Sequence, residues 1–115
     1  MNPEVKSLWL SALRSGEFQQ TSGVLQSSDN RYCCLGVLCE LHRRSHPENK
    51  WENPPEHLVG FQYLGNRSVL PIPVAEWAGL EDSNPIPKDA EQSLAEYNDD
   101  GLDFNAIADK IERGL

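Results

Sequence analysis

Tyr32-Cys33-Cys34-Leu35-Gly36-Val37-Leu38-Cys39-Glu40-Leu41-His42-Arg43-Arg44 is the stretch around which the rest of the chain has to be arranged. Cys34, Val37, Leu38 and Leu41 recur at helical spacing and share one face, and Leu35 and Cys39 widen it. A helix apolar around most of its circumference for two turns cannot lie on a surface, so the spacing predicts a central buried helix over about residues 33–44. Gly36 in its interior costs about 1 kcal/mol in helix propensity relative to alanine. A glycine at such a cost marks a point that another backbone, or a ligand, approaches closely. At the far end His42, Arg43, Arg44 and His46 carry the helix into solvent, with positive charge where the dipole favours it.

Working outward, the first helix is the clearest element. Asn2 supplies a cap, Pro3 suits the first helical position, and Val5, Leu8, Trp9, Ala12 and Leu13 form one apolar stripe that ends at Gly16. Phe18–Gln26 reads as a short strand with a weak point at Gly23, followed by a turn at Ser27–Asn30. Residues 45–57 form a polar, proline-containing loop. Phe61–Leu64 and Ser68–Leu70, joined through Gly65-Asn66, read as a hairpin, and a short helix bearing Val74 with Trp77 or Ala78 stops at Gly79. A helix over about Asp89–Tyr97, a tight turn at Asn98–Gly101, and a last helix capped by Asp103 and bearing Phe104, Ile107, Ala108 and Ile111 complete the chain. The expected class is α+β, one small domain over residues 1–115: a central buried helix, an N-terminal helix, a small antiparallel sheet or hairpin, and C-terminal helices.

Composition narrows the setting. With 38% hydrophobic and 24% charged residues the chain is too apolar for disorder, and its longest apolar runs are too short to span a membrane. The start of the chain reads as a capped amphipathic segment and not as a signal peptide, which gives the expectation of a cytoplasmic protein. Cys33, Cys34 and Cys39 fall within seven positions, a spacing that points to reduced thiols and not to a disulfide framework. Charge is uneven: residues 1–75 hold seven basic and seven acidic side chains, whereas residues 76–115 hold eleven carboxylates against Lys88, Lys110 and Arg113. The whole net charge of −8 lies in that C-terminal third, which repels phosphate backbones and suits a basic partner surface or simple solvation.

Three constellations invite chemistry. Cys33 and Cys34 open a helix, where unpaired backbone N–H groups favour a thiolate, and His57 precedes a strand that would bring a base; the competing reading is that buried cysteines act as small hydrophobes. Cys34–Val37 and His57–Asn66 distantly resemble motifs of papain-like cell-wall peptidases, but the gap between them is short and a third polar partner is missing. Cys39, His42 and His46 recur at i, i+3 and i+7 and offer zinc-type ligands, although the helix is ending at His46-Pro47. The carboxylate turn Glu96–Asp103 fits an EF-hand loop until its twelfth position, which is Ile107 in place of the required glutamate. Metal binding and resident cofactors are therefore not expected, and phosphate-loop, dinucleotide, serine-esterase and zincin motifs do not occur.

Trp9–Gly16, Tyr32–Glu40 with its doubled cysteine and Leu-Gly-Val-Leu, Leu70-Pro71 followed by Val74–Leu80, and Leu94–Asp99 with Phe104–Asp109 together resemble a family of small uncharacterised proteins of phages, prophages and bacteria. The resemblance covers nearly the whole chain, departs in residues 45–69, and implies a phage-associated context. The expected function is a non-catalytic accessory protein that binds and neutralises a host component. A defence protein would meet Glu81, Asp82, Asp89, Glu91, Asp99 and Asp100, whereas a small signalling molecule, such as a phosphate-bearing one, would meet Arg14, Gln19, Gln20, Arg31 and Tyr32. The alternatives are a cysteine-dependent hydrolase or transferase using Cys33 or Cys34 with His57, and a structural module acting as a homo-oligomer. Neither nucleic acid nor a membrane is an expected partner.

Overall fold

The computed structural model describes residues 1–115: five helices and one two-stranded antiparallel sheet, an α+β architecture. Helix α1 spans Pro3–Arg14, and Asn2 caps it by accepting hydrogen bonds from the backbone N–H groups of Glu4 and Val5 at 2.9 and 3.1 Å. Val5, Trp9, Ala12 and Leu13 are buried as the stripe requires, but Leu8 is 51% exposed, because it flanks the seam where α1 packs.

Helix α2, Cys34–Ser45, is the centre of the molecule. Every residue from Cys33 to Glu40 is buried. Strand β1 is Trp51–Glu52, β2 is Gln62–Tyr63, and helices α3, α4 and α5 span Ile72–Ala78, Leu94–Asp99 and Phe104–Gly114. Around α2 lie α1, α3 and α4, and α5 closes the other side of α1 and α4. The closest approach is backbone on backbone: a Cβ added at Gly36 would lie 1.8 Å from the carbonyl oxygen of Leu25. That loop carbonyl also accepts the Cys33 N–H, so the glycine is what lets residue 25 seal the first turn of the helix. Trp9 Nε1–H donates to the Cys34 carbonyl at 3.0 Å, tying α1 to the same turn.

Four expectations are corrected. Phe18–Gln26 is not a strand: Gly23 takes φ +81°, the chain folds around Tyr32, and Gln20 and Gln26 each make a single bridge to that residue, one parallel and one antiparallel. The hairpin pairs differently. Leu64 and Gly65 adopt φ +48° and +90° and reverse the chain so tightly that Tyr63 and Asn66 bond to each other, leaving no ladder beyond. Strand β2 instead pairs with β1, drawn from the segment read as a polar loop, in the register Trp51↔Tyr63 and Glu52↔Gln62. The helix expected over about Asp89–Tyr97 begins only at Leu94, because Asp89 is left-handed at φ +64° and Ser93 with Glu96 forms a reciprocal capping box. Finally, His42 does not exit into solvent; it is 4% exposed.

Candidate functional site

The first turn of α2 offers its N–H groups to the protein itself. Cys34 N–H donates to Asn98 Oδ1 at 3.0 Å, and Gly36 N–H points at Cys33 Sγ at 3.4 Å. Asn98, itself 2% exposed, also accepts from Gln20 Nε2 at 2.9 Å and donates to the Thr21 carbonyl at 2.7 Å, so all of its polar atoms are used. Burial pushes the Cys33 thiol up to about 11, and those of Cys34 and Cys39 well above their ordinary value. Cys34 Sγ–H donates to the Leu94 carbonyl at 3.6 Å. His57 lies in the loop before β2, left-handed at φ +71°, with its side chain 88% exposed beside Glu56. The structure thus does not bring the Cys33/Cys34 pair and His57 together. One group is sealed in the core and the other stands in water.

The residues expected to hold a small ligand are also dispersed. Arg14 is bound to Asp109 and Glu112 of α5, each at 2.8 Å. Gln20 is spent on Asn98 and the Leu102 carbonyl, Arg31 pairs with Asp29 in the turn, and Tyr32 packs edge-on against Phe18 and Trp51. Only Gln19, Gln20 and Tyr32 are neighbours, joined through their backbones (Tyr32 N–H to the Gln19 carbonyl, 2.8 Å). The acidic set fares differently. Glu81, Asp82, Asp89, Glu91, Asp99 and Asp100 are all exposed, and none forms an ion pair. Asp99 accepts the Gly23 N–H and Asp100 the Gln92 amide, both neutral donors.

The zinc-type triplet separates. Cys39 is fully buried, whereas His42 and His46 stack at 4.0 Å with their planes 10° apart. Trp77 of α3 stands edge-on to both rings, and together with Asn49, Leu64, Pro73 and Glu76 the two imidazoles line an open cleft of about 560 Å³. His42 Nδ1 meets the Tyr63 hydroxyl at 2.6 Å, and His46 Nδ1–H donates to the His42 carbonyl at 2.9 Å. Burial, with His46 adding to it, pushes His42 down to about 4, so the ring is neutral at pH 7. Beside this cleft Glu40 accepts hydrogen bonds from Arg43, Arg44 and Trp51 Nε1 between 2.7 and 3.0 Å. Burial pushes its carboxyl up, and those donors outweigh burial and hold it below the ordinary carboxylate range.

Sequence reasoning missed Trp77, Tyr63, Glu76 and Asn98 as members of these clusters. The spacing of His42 and His46, one helical turn apart, was the available signal for the cleft. Asn98 gave none, because its partners are Gln20, Thr21 and Cys34, 64 or more positions away.

The chain belongs to the family described as a domain of unknown function, DUF8296, which matches residues 1–115. No curated protein and no solved structure matches it. No helix is long and apolar enough to cross a membrane.

Proposed function

We propose that this member of the DUF8296 family is a non-catalytic binding protein that captures a host protein through the carboxylates of its C-terminal third, in the phage-associated setting that the resemblance of its motifs suggests. The observation that carries the reading is the state of those six side chains: exposed, and in an ion pair with no cation of the chain itself. A surface that leaves like charges unpaired pays in self-repulsion and gains in electrostatic steering toward a basic partner. The burial of the three thiols supports the same reading, since the most reactive nucleophiles of the chain are held as neutral, enclosed side chains.

The test is capture from phage-infected host cells by the native protein and by a triple variant, Asp89→Lys, Glu91→Lys and Asp100→Lys. The expected result is a host protein retained at low salt, released as ionic strength rises, and bound at least tenfold more weakly by the variant, on the order of 1.4 kcal/mol. Equal capture by the two proteins would overturn the reading. Iodoacetamide separates it from cysteine catalysis: the thiols are expected to stay unmodified until the protein unfolds, and rapid alkylation in the native state below pH 8 would favour a hydrolase or transferase.

A further inference from the structure

Lys88, Lys110 and Arg113 are the only lysines and arginines among residues 76–115, against eleven carboxylates, and all three line one hollow. It holds about 310 Å³, and Pro87, Asp89 and Ala90 complete its wall. Cations scattered among so many acids should each find a carboxylate, yet none of the three makes an ion pair, not even with Asp89 beside them. Two features of the fold keep them so. Arg14 of α1 takes Asp109 and Glu112 at 2.8 Å each, and Asp109 is the carboxylate one turn before Arg113 that would otherwise neutralise it. Gly114 lets the loop at Lys88 cross the end of α5: a Cβ there would lie 2.6 Å from the Lys88 nitrogen, whose N–H donates to the Gly114 carbonyl at 2.9 Å. The helix dipole accounts for Arg113 in the last turn of α5, but not for Lys88, which comes from another segment.

The donors of these side chains remain available. Arg113 Nε–H donates to the Asp109 carbonyl at 3.2 Å, and neither terminal nitrogen of its guanidinium has a partner in the chain. Lys110 Nζ stands 4.5 Å from the centre of the Tyr97 ring, a contact with the π face that steadies the ammonium without neutralising it. Lys88 is exposed. Three cations against the one Asp89 carboxylate leave the hollow with a formal charge of +2. We propose that Lys88, Lys110 and Arg113 form a binding site for a phosphate dianion, free or as the monoester of a small molecule. A guanidinium forks onto two phosphate oxygens, and each ammonium adds a point charge. The net charge of −8 turns away a long polyanion, but salt screens charges farther than about 8 Å, so a small anion in the hollow answers to the cations that line it. The site does not rest on capture of a host protein by the acidic surface.

Inorganic phosphate titrated into the isotope-labelled full-length protein above neutral pH, at constant ionic strength, is expected to shift the amide resonances of Lys88, Asp89, Ala90 and Arg113 to saturation. Lys88→Gln combined with Arg113→Gln is expected to weaken binding at least about tenfold, whereas Lys50→Gln, at an exposed cation elsewhere, leaves it unchanged. Asp89→Asn keeps a residue suited to φ +64° and is expected to tighten binding about threefold by removing the one repelling charge. The same spectra report whether each variant is folded. Glycerol phosphate identifies the source: binding as tight as inorganic phosphate or tighter assigns the site to an ester, and weaker binding assigns it to the free ion. Shifts that saturate with neither probe, a double variant that binds like the parent, an equal loss in Lys50→Gln, or weaker binding by Asp89→Asn would each overturn the assignment.

Discussion

The neutral first two-thirds of the chain and its acidic last third use the same chemical group in opposite ways. Glu40, in the neutral part, is enclosed by two guanidinium groups and an indole N–H, and its charge is consumed in holding α2 against β1. In the same part Glu17 pairs with Arg44 and Asp29 with Arg31. In the last third Asp109 and Glu112 are held by Arg14, while the six carboxylates of Glu81, Asp82, Asp89, Glu91, Asp99 and Asp100 answer to no cation. Three of the seven carboxylates of the first part pair with an arginine, against two of the eleven in the last third. A count of residues along the chain shows the imbalance; only the pairing shows which charges remain available.

That contrast can be broken at its stiffest point. Gly36→Ala forces a Cβ onto the Leu25 carbonyl, a backbone atom that cannot swing aside, and should destabilise the protein by about 3 kcal/mol or more in urea denaturation. A melt unchanged by this substitution would mean that residue 25 does not seal the helix. Glu40→Ala should cost about 2 kcal/mol, between the values for exposed and buried ion pairs, because Trp51 Nε1 loses its acceptor while the two arginines can reach water.

Acid sharpens the comparison further. His42 has its affinity for a proton lowered from the ordinary 6.5 to about 4, so the unfolded chain binds that proton more readily. The stability this contributes is complete above pH 6.5 and is lost as the pH falls toward 4, by on the order of 3 kcal/mol. His42→Gln should flatten the slope of stability against pH in that window. The smallest effect belongs to the acidic third: reversing Asp89, Glu91 and Asp100 to lysine should change stability by no more than about 0.5 kcal/mol per site. A larger loss would show that these carboxylates serve the fold after all.

Elements whose cause is local were legible in the sequence. Asn2 with Pro3, Asp103, and the glycine past the end of α3 set their helix ends through groups within four residues, and the structure has them there. The capping box Ser93–Glu96 was equally local and readable, and it would have placed the start of α4 correctly. The pairing of β2 was not, because a two-residue strand carries too little pattern to choose between Trp51–Glu52 and the nearer Ser68–Leu70.

By itself the sequence determined that α2 is interior, that Gly36 meets something close, and that the net charge lies in one third of the chain, since each follows from periodicity or composition. The tertiary structure alone decided that a backbone carbonyl, and not a ligand, meets Gly36, that Arg14 is neutralised by α5, and that His42 and His46 share a cleft with Glu76. These are contacts between residues from 11 to 98 positions apart, and no local preference encodes which distant surface the folded chain will bring against a given side chain.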